Sequence, residues 1–392
     1  MRTIIASFLL LLAASAAEAQ NTISDVLQSV AQNNRSLQAN AQLTKALREG
    51  AYVGNYLQNP SVQYDYLFGS PSSLGKSGEL TVSQAFDFPT VYSNKNKLSK
   101  LKEQEYNAQA TEFRQTILLQ AKQVCIDLIF LKQQQQMLKE RQENARQLAD
   151  LYETRFKNGD ANILEKNKIE LEFLNIKTEA SLNKVAYDNK MEELRNLNGG
   201  AAIDFNLTQY PDSFALPSKE ELLLEATGAN TSLIALKHAG EVARKQVSVN
   251  KALALPKFEL GFRRDFGKGE QFNGFTVGVS IPLFENKNTV KSAKSQALYT
   301  DMQLQAVQSD VQSQLLQNLQ QVETLKQSMD EYAKALSLQN NETLLNKAFR
   351  AGNISLIEYF IELSTLYQSR QNYLQLQNQY QKAMADIYKY KL

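Results

Sequence analysis

Side chains that could do covalent or metal chemistry are scarce in this 392-residue sequence. His238 is the sole histidine, so no paired imidazoles are available for zinc and no histidine stands beside a serine or cysteine to activate it. Cys125 is the sole cysteine; it falls on an apolar helical stripe and reads as a small core residue that cannot form an internal disulfide. Gly267-Lys-Gly-Glu270 lacks the spacing of a phosphate-binding loop and sits between two strand-like runs. No catalytic constellation emerges, no cofactor or metal is implied, and an enzyme is not expected.

The polar residues that do recur lie in two matched stretches. "RFKNGDANILE" (155–165) and "AFRAGNISLIE" (348–358) align Phe156 with Phe349, Gly159 with Gly352, Asp160 with Asn353 and Glu165 with Glu358. A glycine just past a helical run is the usual left-handed cap. The Asp or Asn after it suits the N-cap of a new helix. Each stretch therefore predicts the tip of a tight helical hairpin, and two such tips point to an internal repeat.

Other landmarks fall into the same register. Asn34, Ser36 and Leu37 match Asn230, Ser232 and Leu233; Pro60 matches Pro256; "TVSQAFDF" (81–88) matches "TVGVSIPL" (276–283). The offsets are 196, 196 and 195, against 193 at the tips. In the first half, 22 to about 56 reads as helix ended by Pro60, followed by alternating Val62, Tyr64, Tyr66 and Phe68. A turn over 70–78 leads to a second run with Leu80, Val82, Ala85 and Phe86. The second half repeats the pattern with Phe258, Leu260, Phe262 and Phe266, a turn over 267–274, then Phe275, Val277, Val279 and Ile281. Ser218 with Glu221 reads as a capping box that restarts a helix after the linker-like 196–217.

The helices carry heptads. Ile117, Val124, Leu131, Leu138, Ala145 and Tyr152 form one seam, and Ala121, Leu128, Gln135, Gln142, Ala149 and Phe156 its partner. Val311, Leu325 and Tyr332 with Leu315, Val322, Met329 and Leu336 repeat this in the second half. A helix from Tyr92 to Phe156 would run about 97 Å at 1.5 Å per residue, too long for a compact domain. The expected class is thus mostly α, as long coiled coil, with a small β part of four strands. The organisation is 1–19 as signal peptide, 20–200 as the first repeat, 201–217 as a linker or equatorial segment and 218–392 as the second repeat. Arg2, the apolar 4–12 and Ala17-Glu-Ala19 are the parts of a cleaved export signal. A net charge of +2 offers no field for nucleic acid.

Strands of nine or ten residues suit a tilted span of a membrane, with one aromatic face and one carrying Gln63, Asp65, Glu259, Arg263 and Asp265. Four strands cannot close a barrel, and open edges are not tolerated in lipid. Either the hairpins pack on their own helices in water, or several chains pool their strands.

Taken together, the duplicated helix–strand–strand–helix plan, the Pro-led first strand, "SIPLF" (280–284) and the paired glycine tips resemble the TolC-type outer-membrane efflux proteins. The resemblance covers essentially all of 21–392 and implies a homotrimer. Its twelve strands would form one β-barrel in the lipid of the outer membrane, and its helices a periplasmic tunnel. The chain would then be a passive duct of a tripartite efflux or type I export system, served by a periplasmic adaptor protein and, through it, an inner-membrane pump. The tips at Gly159, Asp160, Gly352 and Asn353 would dock the adaptor. In that family the mouth is narrowed by acids after the second tip. Glu358 matches in charge, whereas the next such position is Ile361, and Glu362 follows one turn on. A Tyr three residues before the glycine is here Phe349, facing the counterpart Glu165, and an Arg two residues after it is Ile354. The alternative to a duct is a periplasmic coiled-coil scaffold without a pore.

Overall fold

The computed structural model describes residues 22–211, 217–267, 271–337 and 341–392. The expected export signal over 1–19 lies outside them. The first half runs α1 (Ile23–Asn33), α2 (Arg35–Ala51), β1 (Ser61–Phe68), β2 (Lys76–Phe86), α3 (Pro89–Lys157) and α4 (Ile163–Leu197). The second runs α5 (Lys219–Ala229), α6 (Thr231–Leu253), β3 (Lys257–Phe266), β4 (Asn273–Ser280), α7 (Thr289–Ser337), α8 (Asn341–Arg350) and α9 (Leu356–Ile387). The fold is mostly helical with one small antiparallel sheet, as expected. No helix among the described residues is long and apolar enough to cross a membrane.

One expected helix is two. The run predicted over 22–56 breaks at Asn34 and ends at Ala51. Asn34 takes an extended backbone, accepts the Leu37 N–H (2.9 Å) and donates its amide to the Leu197 carbonyl (2.7 Å). Its side chain thereby replaces the helical bonds that the break gives up. Asn230 caps α6 in the same way, accepting the Leu233 N–H at 3.0 Å. The Asn-x-Ser-Leu match in the sequence is thus a helix-start signal. Ser218 and Glu221 form the expected box at α5.

The chain divides into two units, each described by itself. The first takes residues 1–38, 114–226 and 314–392. Its core has three clusters. Val26 and Val30 of α1 meet Ala121, Val124, Cys125 and Leu128 of α3 and Leu194 of α4. Leu222 of α5 meets Leu315, Leu319 and Val322 of α7 and Met384 and Ile387 of α9. Leu148 and Tyr152 of α3 meet Ile169 of α4 and Leu356 and Tyr359 of α9. Val124, Leu131, Leu138, Ala145 and Tyr152 of the first heptad seam are buried, as are Ala121 and Leu128 of the second. Gln135, Gln142 and Ala149 are half-buried and Phe156 is exposed. Cys125 is fully buried, and burial pushes its thiol up to about 12, which keeps it a protonated core residue. The segment 201–211 has no regular structure, yet it is anchored: Phe205 is 2% exposed and enters the first cluster.

The second unit takes 39–113 and 227–313 and holds the sheet. Its helices pack through small buried residues, among them Ala235, Ala243 and Ala252 of α6 and Ala293 and Ala297 of α7. His238 lies on α6 beside Glu241, Nδ1 to carboxylate 3.3 Å.

Candidate functional site

Two features carry candidate function, the sheet and the hairpin tips. The four strands pair in the order β1-β2-β3-β4, every pair antiparallel. β2 starts at Lys76 and β4 at Asn273, so the first turn is shorter than the predicted 70–78; residues 268–270 of the second lie outside the described residues. The register sorts the side chains because residues opposite one another share a face. Tyr64 is opposite Leu80, Leu80 opposite Arg264, Val82 opposite Phe262, and Phe262 opposite Phe275. That face also carries Val62, Tyr66, Phe68, Phe258, Leu260, Val277 and Val279, all exposed, with Phe275 at 89% and Val277 at 72%. The opposite face is polar. Ser61 meets Ser83 (2.8 Å), Gln63 donates to Asp65 (2.9 Å), and Arg263 bridges Glu79 (2.5 Å) and Asp265 (3.4 Å). A sheet in water buries its apolar face and wets its polar one. Here the apolar face is bare as well. Among the described residues, the outer edges of β1 and β4 have no strand beside them.

Both tips are built alike. Gly159 has φ +81° and Gly352 φ +75°. The Gly159 N–H donates to the Phe156 carbonyl and the Asp160 N–H to Arg155 (3.1 and 2.8 Å). Gly352 donates to Phe349 and Asn353 to Ala348 (3.0 and 2.9 Å). This pair of bonds is the left-handed glycine cap that the spacing predicts. Asp160 and Asn353, expected as N-caps, are instead the second residue of that motif, and both are exposed. Once their own N–H groups close the turn backward, the next helix starts two residues later, at Asn162 and Ser355. The Glu165 carboxylate accepts the Asn162 N–H (3.1 Å) while its own N–H donates to Asn162 Oδ1 (2.9 Å). Glu358 and Ser355 repeat this at 2.7 and 3.2 Å. Both glutamates therefore complete capping boxes. The Ser355 backbone N–H, then its hydroxyl, holds the Glu358 carboxyl below its usual range. Glu358 and Glu362 are exposed; Glu165 is half-buried.

Phe349 packs among aromatic rings. It stacks on Tyr359, centroids 4.7 Å apart, and lies over Tyr152 at 6.4 Å. Ile354 joins the same cluster. Phe349 and Ile354 are thus packed apolar side chains at the positions where the resemblance implies a phenol and a guanidinium. The Tyr359 hydroxyl donates to Asn346 at 2.8 Å.

Sequence reading passed over a polar cluster farther along the hairpins. Glu342 of α8 accepts from Tyr367 (2.9 Å) and Arg370 (3.1 Å) of α9 and from the Asn144 amide of α3. Arg141 of α3 pairs with Glu172 (2.7 Å) and Glu179 (2.9 Å) of α4. Burial pushes the Tyr367 phenol up, keeping it a donor. No fixed spacing marks such a cluster. The one available signal is the charged Arg141 beside the polar seam position Gln142.

Comparison with known proteins agrees with this architecture. Residues 222–390 match the family model described as outer membrane efflux protein. The outer membrane protein TolC of Vibrio cholerae is 26% identical over 157 residues, 36% of this chain and 35% of that protein, so the match spans about a third of the relative. Among solved structures, the CusC channel superposes with a TM-score of 0.77 at 16% identity, covering 95% of this chain and 92% of that one. VceC of Vibrio cholerae gives 0.76 at 14% identity, covering 94% and 95%. The open state of the MtrE channel of Neisseria gonorrhoeae gives 0.73 at 15% identity, covering 94% and 88%. Residues 222–390 are thus similar to the outer membrane efflux protein family, and the chain shares its fold with these solved channels.

Proposed function

We propose that this chain is a subunit of an outer-membrane duct, a passive conduit in a tripartite efflux or export system, assembled as a homotrimer. The observation that carries the reading is the sheet: an exposed aromatic and aliphatic face, a polar opposite face, and two bare edges. Lipid satisfies the first, a water-filled lumen the second, and strands of other copies the third. Three copies supply twelve strands, enough to close a barrel that one cannot. A pore-less scaffold leaves the apolar face without a solvent.

Helical surface supports assembly as well. Leu164, Leu171, Leu174, Leu182 and Val185 form an exposed stripe on α4 with gaps of seven, three, eight and three residues, close to a coiled-coil seam. Duplication of one helix–strand–strand–helix unit is supported by the element starts. α2 and α6 begin 196 residues apart, β1 and β3 also 196, and α4 and α9 193. The two tips would meet an adaptor protein, itself coupled to an inner-membrane pump. Glu358, Glu165, Glu362 and Phe349 would lie at the periplasmic mouth, the exposed carboxylates as rings around the symmetry axis.

Planar bilayer recording tests the reading. Purified protein is expected to insert as discrete, long-lived conductance steps. Protein that stays in the soluble fraction on cell lysis and gives no steps would return the scaffold reading.

A further inference from the structure

Where the sheet passes into the helices, the charge is uneven. The fifteen residues nearest the sheet in each of the four connections are 47–61, 86–100, 243–257 and 280–294. They hold eleven lysines and arginines against three carboxylates, Glu49, Asp87 and Glu285, a local net of +8 in a chain whose total is +2. Some of these cations are already engaged. Lys95 pairs with Asp87, Lys257 with Glu285, Arg48 with Glu103 and Arg244 with Asp301. Lys245 donates to Asn94. Lys97, Lys100, Lys251, Lys287, Lys291 and Lys294 are exposed and make no ion pair among the described residues.

The order of residues away from the sheet narrows what such a collar meets. Next to the apolar strand face come large bare side chains in the same connections: Tyr56 at 78% and Leu57 before β1, and Ile281, Leu283 and Phe284 at 84% after β4. The free lysines follow, Lys287 and Lys291 just past Phe284 and Lys97 in the early turns of α3. Apolar face, then aromatic rim, then cations is the layering of hydrocarbon, interface and headgroup. A collar serving an aqueous anion has no use for the aromatic rim.

We propose that these connections form a cationic collar that binds the phosphate headgroups of anionic glycerophospholipids in the leaflet nearest the helices. The lysine ammonium groups supply point charges and donors for headgroup phosphates, while Tyr56 and Phe284 set the depth at which the collar sits. This rests on the sheet being embedded in a bilayer, as inferred above.

The test uses the full chain in nonionic detergent, reconstituted into vesicles of equimolar phosphatidylglycerol and phosphatidylcholine. It is then re-extracted gently, and the retained lipid is quantified by mass spectrometry. Wild-type protein is expected to retain phosphatidylglycerol over phosphatidylcholine by roughly tenfold, less at high salt. The quadruple variant Lys97→Gln, Lys251→Gln, Lys287→Gln, Lys291→Gln is expected to lose most of that preference, and the matching Lys→Arg variant to keep it. A control changing the exposed Lys139, Lys177, Lys184 and Lys326 to Gln is expected to leave it intact. Equal retention of both lipids by wild type, or an equal loss in the control, overturns the collar while leaving the embedded sheet standing. Displacement of the bound lipid by soluble glycerophosphate at equal phosphate concentration also overturns it, since the site would then read a free anion. Failure to enter vesicles of either lipid contradicts the embedded sheet itself.

Discussion

At the scale of the residue, Gly159 and Gly352 are the clearest cases in which sequence dictates geometry. Each holds a positive φ, and a Cβ placed on either meets nothing within 4 Å. The cost of substitution is therefore backbone strain alone, about 1–2 kcal/mol for alanine and less for asparagine. Faster hydrogen exchange at the tip amides in Gly352→Ala, with partial rescue in Gly352→Asn, is the expected outcome. Trimers are expected to form in either variant, while cross-linking to the adaptor falls. Glu358 makes a second prediction. Its carboxyl titrates below the usual value of 4.5 because Ser355 stabilises the ionised form. The folded pKa is depressed, so the cap's contribution is complete above about 4.5 and is lost as pH falls through the lower folded value. Fraying of the first turn of α9 is expected to begin only below pH 4.5, followed by exchange at Glu358 and Tyr359, and Glu358→Gln is expected to abolish that pH dependence. If three Glu358 carboxylates ring the mouth, the same variant lowers cation selectivity and block by multivalent cations in single-channel recordings. Unchanged selectivity would remove Glu358 from the mouth.

At the scale of the element, what could be read from sequence tracks how local the cause is. The strands were legible because Val62, Tyr64, Tyr66 and Phe68 alternate with smaller or polar residues, and period 2 needs no tertiary partner. The tips were legible because glycine punctuates. The helix starts after them were misplaced by two residues, since Asp160 and Asn353 are as suitable in type as Asn162 and Ser355. The choice is made by N–H groups turning back to Arg155 and Ala348. The break at Asn34 was missed because its deciding bond runs to the Leu197 carbonyl, 163 positions away. Asn34→Ala is accordingly expected to destabilise the unit holding α1 and α4 by about 1–3 kcal/mol, leaving a buried carbonyl without a donor. An urea titration that shows no shift of midpoint would contradict that account of the break. Phe205 makes a similar case for 201–211, where sequence suggested a linker. Phe205→Ala is expected to cost about 3–5 kcal/mol, read as a fall in thermal midpoint, if that aromatic is what ties the segment to α1, α3 and α4.

At the scale of the whole molecule, the central claim is that the sheet of one chain is an unfinished object. Its polar face and its apolar face are both bare, and its two edge strands lack neighbours among the described residues. The most direct measurement is oxidative cross-linking between edges. β1 and β4 are not paired within one chain, so a cysteine on each can meet only across a junction between copies. One chain would carry a cysteine in β1, scanned from Gln63→Cys, and one in β4, scanned from Thr276→Cys. The buried Cys125 contributes no background. At the native register, the account predicts a covalent ladder of dimer and trimer after oxidation of membranes, collapsing to monomer on reduction. Monomer alone at every register, from protein that is folded and in the outer membrane, would contradict it.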